Sequence, residues 1–351
     1  MSAPDIRRIE VLAPNFKRRL SGVTSTVIRL VPIQAEQIAI AATGPVLPDH
    51  VPQVPLSALP MMPRRGPNGW RVWHARRNVE MIGGLALRYL LGKRLKLLFT
   101  SASQRKQTGL TRWLIRRMDA VIATSEKTAS YLEIPSEVIM HGIDIAGFSP
   151  SADRSSLRDT LGVADDGPVI GCYGRIRAQK GTDVYVDAMI GLLRDHPTAT
   201  ALVMGRATAE HRGFEEDLRG KIAEAGLSER LRFMPEVPPE AMADWYRILD
   251  LYVAPQRWEG FGLTPIEAMA CGCPVVATRV GAFEALVVQD ETGLLVETGD
   301  PEVIRQAADH ILSDPERLQQ WSVAARRHVE RRFSIEREAT ALVDVYRRLL
   351  A

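Results

Sequence analysis

Short apolar runs alternate with stretches of helical periodicity along most of the chain. Continuous apolar runs of about 4 to 8 residues are typical of strands buried on both faces, and their alternation with helices predicts parallel sheets covered by helices. In the first half, strands are predicted at residues 9–13, 38–42, 72–74, 95–100 and 120–124. In the second half, they are predicted at residues 169–173, 200–204, 231–234, 251–254, 275–278 and 293–296. The pattern predicts an α/β fold.

The chain is 351 residues long, which is enough for two domains of about 100 to 200 residues each. A polar stretch rich in Ser, Asp and Gly at residues 149–167 predicts a linker that starts near residue 150. We therefore expect an N-terminal domain at residues 1–150, a second domain at 151–332, and a C-terminal helix at 333–351 that packs back on the first domain. A Pro-rich segment at residues 46–67 predicts a long irregular loop.

Composition places the chain among globular proteins, and charge divides it into two halves. Hydrophobic residues make up 46% and charged residues 25%, which excludes fibrous and low-complexity chains. Residues 1–150 contain 21 Lys and Arg against 10 Asp and Glu, whereas the remainder contains 24 against 32. Between Arg64 and Arg117 there are 14 basic residues and one acid, Glu80. This excess predicts an anionic partner, either lipid headgroups, nucleic acid or an acidic glycolipid; an ordinary Arg-rich surface is the alternative.

Several features favour a cytoplasmic protein. The longest apolar stretch, residues 81–99, is interrupted by four basic residues, so no transmembrane helix is predicted. The first 14 residues have no apolar signal core, and three cysteines do not make a disulfide framework.

The sequence also lacks metal-binding motifs. It contains no Asp-x-Asp, so no obvious carboxylate pair is available to hold Mg²⁺ or Mn²⁺ on a diphosphate. Cys271 and Cys273 lie in a tight turn and Cys172 lies in a predicted strand, which is typical of small buried hydrophobes rather than zinc ligands. We therefore expect no metal and no other cofactor.

The densest motif is WEGFGLTPIEAMACGCPVVA, which begins at Trp258. Thr264 followed by Pro and by Glu267 predicts a capping box at the start of a helix. The preceding loop holds Glu259 between the end of a strand and two glycines, Gly260 and Gly262, which permit close approach of the backbone to a ligand. A helix N-terminus behind this loop favours an anion or sugar hydroxyls. The alternative is that Glu267 only caps its helix and the glycines only turn the chain.

A second motif, GCYGRIRAQKG, follows the predicted strand at residues 169–173. Arg175 and Lys180 therefore lie at the carboxyl end of a parallel strand, where open α/β sheets bind ligands. Two cations at this edge suit a diphosphate. The spacing fits neither a dinucleotide fingerprint nor a P-loop, and a solvated basic turn is the alternative. His74, at the end of a short strand, is either a histidine at the edge of a cleft or a structural one.

Together these residues resemble the large retaining family of GT-B glycosyltransferases, the glycosyltransferase family 4 type. Glu259 and Glu267 match its E-x7-E motif, and Arg175 and Lys180 match its R-x4-K pair. HGID at residues 141–144 and GLLVETGDPE at 293–302 also match. The resemblance implies two Rossmann-like doubly wound domains that face a deep cleft. Within the family, the first half looks most like the cytoplasmic mannosyltransferases of the lipopolysaccharide core.

The resemblance also implies roles for matching positions. Glu259, His74, Arg175 and Lys180 would be catalytic, and His74, Arg76 and Arg77 would bind the acceptor. The donor would be held by Glu267 on the ribose, Arg175 and Lys180 on the diphosphate, and Glu259 with the loop amides on the sugar. The full donor set is Gly22, Gly174, Arg175, Lys180, Arg206, Met234, Pro235, Glu236, Glu259, Gly260, Phe261, Gly262, Leu263, Thr264 and Glu267. Ser21 stands where many members have a first glycine, and Pro235 stands where a glycine is usual.

The implied reaction is retaining transfer of a hexose, mannose from GDP-mannose, onto a lipid-linked acidic acceptor such as the lipopolysaccharide inner core. A front-face attack and a double displacement through Glu259 both remain open. The alternatives are a sugar-nucleotide epimerase of GT-B fold or a basic nucleic-acid-binding protein; we expect no nucleic-acid partner, because aromatic interleaving is missing. The basic cluster, with Trp113 and Leu114, predicts peripheral docking on an anionic membrane at the cytoplasmic leaflet.

Overall fold

A computed structural model describes residues 4–18, 22–163 and 166–351 of the chain. It divides into two compact units. The first unit consists of Met1–Gly142 together with Ile335–Ala351, and the second consists of Ile143–Ser334. Each unit is built on a six-stranded sheet in which every strand pairing is parallel.

The sheet of the first unit has the strand order β2-β1-β3-β4-β5-β6. Its strands are β1 (Val11–Pro14), β2 (Ile40–Thr43), β3 (Arg71–Ala75), β4 (Leu95–Ser101), β5 (Ala120–Ala123) and β6 (Glu137–Val138). Its helices are α1 (Gly22–Ala35), α2 (Ala58–Met61), α3 (Asn78–Tyr89), α4 (Gly109–Ile115), α5 (Glu126–Ser130) and the C-terminal α14 (Ile335–Leu350). The strands are almost entirely buried, since helices cover both faces of the sheet.

The C-terminal helix α14 belongs to the core of the first unit. Its periodic apolar residues, including Leu342, Val343 and Tyr346, pack in one cluster with Val11 and Val72 of the sheet. Because of this packing, α14 belongs to the first unit, although the 192 residues of the second unit separate it in the chain from the rest of that unit.

The sheet of the second unit has the order β12-β11-β10-β7-β8-β9. Its strands are β7 (Val169–Tyr173), β8 (Thr200–Met204), β9 (Leu231–Met234), β10 (Leu251–Ala254), β11 (Val275–Thr278) and β12 (Gly293–Val296). Its helices are α6 (Arg154–Thr160), α7 (Thr182–Asp195), α8 (Arg212–Glu224), α9 (Met242–Arg247), α10 (Thr264–Ala270), α11 (Phe283–Leu286), α12 (Pro301–Leu312) and α13 (Pro315–Arg332).

The structural division differs from the predicted boundary near residue 150. Ile143 donates its N–H to the carbonyl of Phe333 at 2.9 Å, which joins the two ends of the second unit. Residues 145–149 also belong to this unit, because their carbonyls accept hydrogen bonds from Arg326 (Ile145 O at 3.0 Å) and from Arg247 (Ser149 O at 2.8 Å). The segment that leads into the predicted linker is therefore fixed to the second unit by two arginines.

The Pro-rich segment is more ordered than a long irregular loop. It contains α2, and its residues Val51, Val54 and Met62 are buried. Ala42 of β2 donates to the carbonyl of Pro52 and accepts from the N–H of Val54, so the segment runs along the sheet edge. No helix in the described part of the chain is long and apolar enough to cross a bilayer.

Candidate functional site

The strand order of the second unit creates a switch point at β7. From β7 the chain proceeds through β8 and β9 on one side, then crosses to β10 on the other side and continues to β11 and β12. The loops that follow β7 and β10 therefore leave adjacent strands in opposite directions. Ligands of open α/β sheets bind in the crevice that such loops form at the carboxyl edge.

The loop after β7 carries Gly174 and Arg175. Gly174 has φ of +143°, a conformation that favours glycine, and Arg175 is exposed. Within the described residues, no side chain or carbonyl pairs with the Arg175 guanidinium. The loop after β8 lies against it, since a Cβ on Gly205 would be 1.9 Å from the carbonyl oxygen of Gly174. Arg175 thus projects from a tightly packed pair of loops as an uncompensated cation.

Lys180 lies in the same loop but is compensated. It ends a short 3₁₀ turn, and the following Gly181 has φ of +71° with no room for a Cβ beside the carbonyl of Pro255. This close approach brings Lys180 to the loop after β10, where its ammonium donates a hydrogen bond to Glu259 Oε2. Glu259 Oε1 accepts the N–H of Gly260 at 2.9 Å. The two motifs predicted from the sequence therefore meet in the folded chain.

The start of α10 differs from the predicted capping box. Leu263 already has helical dihedral angles (φ −78°, ψ −27°), so Thr264 is inside the helix and is not its N-cap. The cap position has no side-chain hydrogen bond. Gly262 before it has φ of +89°, and a Cβ there would lie 2.3 Å from the ring of Phe283. The turn at residues 259–263 is therefore held by this packing and by backbone hydrogen bonds, such as that from Ala282 N–H to the Phe261 carbonyl at 3.2 Å, and not by a cap from Thr264.

Glu267 is oriented by a tyrosine that the sequence analysis did not identify. Its Oε2 accepts a hydrogen bond from the hydroxyl of Tyr246 at 3.0 Å. Burial, and then the carboxylate of Glu267, raises the pKa of Tyr246 well above its usual value, so the phenol stays protonated and donates. Tyr246 lies on the buried face of α9, and nothing in its local sequence distinguishes it from a core aromatic residue.

Gln256 is a second residue missed by the sequence analysis. It lies two residues after the end of β10, it is 3% exposed, and its Oε1 has no hydrogen-bond partner among the described residues. Its carbonyl accepts the hydroxyl of Thr278 at 2.6 Å, which fixes the backbone. A buried polar side chain at the carboxyl end of a central strand, three residues before Glu259, is the signal that identifies it.

The remaining predicted donor positions lie at the ends of β8 and β9. Arg206 and Glu236 form an exposed ion pair at 3.4 Å, and Met234 and Pro235 lie beside it as half-buried and exposed residues. In the first unit, Gly22 is the exposed first residue of α1, and a Cβ there would meet nothing within 4 Å among the described residues. Ser21 lies outside the described residues.

The structure places His74 inside the first unit and not at a surface. The ring is fully buried, with Nδ1 2.7 Å from the hydroxyl of Tyr346 and Nε2 2.7 Å from that of Thr100. Burial, and then the charge of Arg76, holds the pKa of His74 well below its usual value. The imidazole is therefore neutral and both nitrogens are bonded, so its predicted contact with sugar and acceptor stays a prediction.

Arg76 and Arg77 are also engaged internally. Arg76 is buried and donates to the carbonyl of His74 at 3.3 Å. Arg77 donates to Glu80 Oε1 at 2.7 Å, to Asn15 Oδ1 at 2.8 Å and to the Thr24 hydroxyl at 3.0 Å. Because Glu80 has no solvent exposure, this ion pair fixes the turn between β3 and α3.

A cavity of about 500 Å³ opens at the carboxyl end of β4 in the first unit. It combines cationic side chains with hydroxyl groups, which suits an anionic, hydroxyl-rich ligand such as an acidic sugar. Its polar lining consists of Arg76, Arg77, Asn78, Thr100, Ser101, Ser103, Arg105, Lys106, Gln107, Thr108 and Thr111. Arg105 and Lys106, two members of the predicted basic cluster between Arg64 and Arg117, add two cations to this lining.

The described residues contain no group of three or more His, Cys, Asp or Glu side chains that forms a metal site. The three cysteines are free and buried. Burial raises the pKa of Cys172 and of Cys271 to about 12, so both are neutral thiols and poor nucleophiles.

Comparison with known proteins identifies the family. Residues 153–328 match the family model described as glycosyl transferases group 1. The chain is 51% identical to the lipopolysaccharide core biosynthesis mannosyltransferase LpsB of Rhizobium meliloti (strain 1021), over 99% of each chain. This chain belongs to the group 1 glycosyl transferases. This glycosyltransferase is also 49% identical to the lipopolysaccharide core biosynthesis mannosyltransferase LpcC of Rhizobium leguminosarum bv. viciae, over 99% of this chain and 98% of that one.

Solved structures confirm the predicted GT-B fold. Anabaena Alr3699/HepE in complex with UDP matches 96% of this glycosyltransferase and 99% of its own chain, with a TM-score of 0.83 at 19% identity. The C-terminal domain of a group 1 family glycosyl transferase (LpcC) from Francisella tularensis matches 55% of this chain and all of its own, with a TM-score of 0.53 at 34% identity. The two parallel sheets are those of a GT-B glycosyltransferase.

Proposed function

We propose that this glycosyltransferase transfers mannose from GDP-mannose, with retention of configuration, onto an acidic lipid-linked acceptor such as the lipopolysaccharide inner core. The names of the two relatives at 51% and 49% identity support the sugar and the pathway. The observation that carries the proposal is the contact between Lys180 and Glu259 beside the uncompensated Arg175, at the carboxyl edge of the second sheet.

In this proposal the second unit holds the donor. Arg175 and Lys180 neutralise the charge that develops on the diphosphate as the glycosidic bond breaks. Glu267 accepts a hydrogen bond from a ribose hydroxyl, and Tyr246 orients the carboxylate. Glu259 and the amides of the 260–263 turn contact the transferred sugar. No metal ion is required, because the two cations supply the positive charge.

The ion pair also bears on the mechanism. A carboxylate that accepts hydrogen bonds from an ammonium and from its own loop is a weak nucleophile, since both interactions stabilise its negative charge. We therefore favour a front-face reaction. The acceptor oxygen forms the new bond to the anomeric carbon as the bond to the diphosphate oxygen breaks, and the departing phosphate takes the acceptor proton. Glu259 then positions the sugar and stabilises positive charge on it.

The acceptor is assigned to the first unit. The cavity of about 500 Å³ at the end of β4 presents Arg76, Arg77, Arg105 and Lys106 together with hydroxyl groups. These cations bind the acidic group of the acceptor sugar, while the hydroxyls exchange hydrogen bonds with its own. The lipid part of the acceptor keeps the enzyme at the cytoplasmic face of the membrane as a peripheral protein.

The test is a panel of sugar nucleotides followed by product analysis. A donor at 100 times its Kd stabilises a folded protein by about 2.7 kcal/mol, so GDP-mannose is expected to raise the Tm more than UDP-sugars at equal concentration. Incubation with GDP-mannose and a deacylated inner-core acceptor is expected to yield an α-mannoside, which NMR identifies. Selective stabilisation by a UDP-sugar would contradict the donor assignment. Conversion of the sugar nucleotide without any acceptor would indicate an epimerase.

A further inference from the structure

Exposed large apolar side chains are distributed unevenly between the two units. Of the thirteen found in the described chain, only Trp258 and Val323 belong to the second unit, although that unit is the longer. The remainder lie in the first unit, which also carries the excess of positive charge. Single exposed apolar residues are ordinary on a protein surface, but a concentration of them on one unit marks an interaction surface.

Helix α3 provides the largest part of this surface. Its inner face packs closely on β3, since Cβ atoms on Gly83 and Gly84 would collide with the rings of Phe16 and Trp73. Its outer face is apolar as well. Val79 and Ile82 are about half exposed, and at the end of the helix Tyr89 is 66% and Leu90 81% exposed. Leu91, which follows, is also about half exposed. A helix that is apolar on both sides is normally buried on both sides. The outer face of α3 therefore lacks an apolar partner among the residues that the structure describes.

Helix α4 extends the surface. Asn78 at the start of α3 donates to the hydroxyl of Thr111 in α4 at 2.7 Å, so the two helices are neighbours. Leu110 and Trp113 of α4 are about half exposed, whereas Leu114 is fully buried. The prediction that Leu114 lies at the lipid interface is wrong, because Leu114 is on the buried inner face of α4.

Arginine side chains surround these apolar residues. The guanidinium of Arg117 stacks 3.6 Å from the Trp113 ring centre, and that of Arg88 lies 5.6 Å from the Tyr89 ring centre. Asp119 compensates the charge of Arg88 in an ion pair at 2.7 Å. Arg112 and Arg116 share a single carboxylate, that of Glu133, so these two arginines together keep one uncompensated positive charge. An apolar centre with a cationic border is complementary to a bilayer with anionic headgroups.

Other members of the predicted basic cluster are structural. Lys93 is buried, and its ammonium donates to the carbonyls of Pro60 at 2.7 Å and Met62 at 2.5 Å. Burial, with the charges of Arg71 and Arg64, lowers the pKa of Lys93. The docking surface therefore includes fewer cations than the basic cluster between Arg64 and Arg117 in the sequence.

We propose that the outer faces of α3 and α4, called here the α3–α4 surface (Val79, Ile82, Tyr89, Leu90, Leu110 and Trp113 with Arg88, Arg112, Arg116 and Arg117), bind an anionic lipid bilayer. The position of the acceptor cavity supports this occupant. Asn78 and Thr111, which join the two helices, also line that cavity. A lipid-linked acceptor thus keeps its sugar in the cavity while its acyl chains stay in the bilayer that the α3–α4 surface contacts. The position of the lipid-linked acceptor rests on the proposed function, whereas the binding of the α3–α4 surface to lipid does not.

The test is co-sedimentation of the full chain with vesicles of phosphatidylcholine alone or with 30% phosphatidylglycerol. An apolar variant (Ile82→Ser with Leu90→Ser) and a charge variant (Arg112, Arg116 and Arg117→Gln) are prepared. Both are compared with a control from the second unit that also loses three cations (Val323→Ser with Arg327, Arg331 and Arg332→Gln). We expect binding only to anionic vesicles. The charge variant is expected to lose about a hundredfold in partition coefficient, on the scale of about 1 kcal/mol per cation. The control is expected to bind like wild type.

Three results would overturn the proposal: equal binding to neutral vesicles, binding unchanged in both surface variants, or a dimer that the apolar variant abolishes. The dimer would assign the surface to a second copy of the chain. Thermal unfolding of each variant shows that it is folded. Mannosyl transfer to a deacylated acceptor is measured in parallel. Failure of that transfer with normal vesicle binding would contradict the proposed function alone. Normal transfer without vesicle binding would contradict only the proposal that the α3–α4 surface binds lipid.

Discussion

The ammonium of Lys180 and the carboxylate of Glu259 form a half-buried ion pair that joins positions 79 residues apart in the sequence. The pair connects the loop after β7 with the loop after β10, the two adjacent strands at the switch point of the second sheet. Arg175, five residues before Lys180, has no such partner among the described residues. The two cations therefore differ: one is fixed by the protein, and the other is available to a ligand.

The first prediction concerns these cations. Lys180→Ala and Arg175→Ala are each expected to lower kcat/KM about 10²-fold or more, because each removes a preorganised positive charge from the departing diphosphate. Lys221→Ala is the control, since it breaks an exposed ion pair with Asp187 on α7, away from the site. Its activity is expected to match wild type. Initial rates with GDP-mannose measure the effect, and normal activity of Lys180→Ala would rule out the diphosphate assignment.

The second prediction concerns Tyr246, whose hydroxyl donates to Glu267 at 3.0 Å. Tyr246→Phe removes a hydrogen bond to a charged group, which is worth about 1.5 to 3 kcal/mol. We expect the Kd of the donor to rise about tenfold or more, while kcat changes less, because the ribose contact is made in the ground state and the transition state alike.

Tyr185→Phe is the matched control for that experiment, because the Tyr185 hydroxyl is also fully buried and donates to a backbone carbonyl, that of Ile170, at 2.9 Å. A donor affinity that falls equally in both variants would show that Tyr246 acts through packing alone. Isothermal titration with GDP-mannose gives Kd directly.

The sheet of the second unit was predictable because its strands are buried on both faces. All six predicted ranges, such as 169–173 and 251–254, coincide with the observed strands. In the first unit the ends of strands shift by one or two residues, as at β1 and β2. The two-residue β6 was missed, since Glu137 and Val138 are too few and too exposed to produce an apolar run.

Side-chain environments were less predictable, because they depend on partners distant in sequence. His74 is buried against Tyr346, 272 residues later, and Arg77 is fixed by Asn15, 62 residues earlier. A local motif does not contain this information. The same applies to Thr264, which has the sequence of an N-cap but lies one residue inside the helix. The motif residues Lys180 and Glu259 were identified individually, but their contact required the fold.

The third prediction is that turnover does not depend on a divalent metal. The motivation is the lack of Asp-x-Asp in the sequence and the two cations, Arg175 and Lys180, at the proposed diphosphate site. Rates with excess EDTA are expected to equal rates with added Mg²⁺ or Mn²⁺, at matched ionic strength because salt screens charge interactions. A saturable metal requirement of kcat would show that a metal ion, and not the protein cations alone, neutralises the leaving diphosphate.

The fourth prediction concerns the pH dependence of stability and follows from His74. Burial and Arg76 hold the pKa of the native imidazole well below its usual value, whereas the unfolded chain binds a proton near pH 6.5. The unfolded state therefore binds more protons as the pH falls below about 6.5, and the free energy of unfolding decreases with a slope that approaches about 1.4 kcal/mol per pH unit for this one group. His328 contributes with the same sign, since burial lowers its pKa too.

Urea unfolding of wild type and of His74→Asn between pH 5 and 8 separates the contributions of His74 and His328 to the pH dependence of stability. The variant is expected to be less stable at pH 8, because it loses the hydrogen bonds to Tyr346 and Thr100. Its free energy of unfolding is also expected to fall less steeply as the pH decreases. Of the two buried histidines, only His328 still contributes to that decrease in the variant. His328→Asn provides the reciprocal measurement; the ring of His328 bonds to the carbonyl of Leu286 at 3.0 Å. Parallel pH profiles for wild type and His74→Asn would mean that His74 takes up a proton in the native state, and the neutral buried imidazole would have to be abandoned.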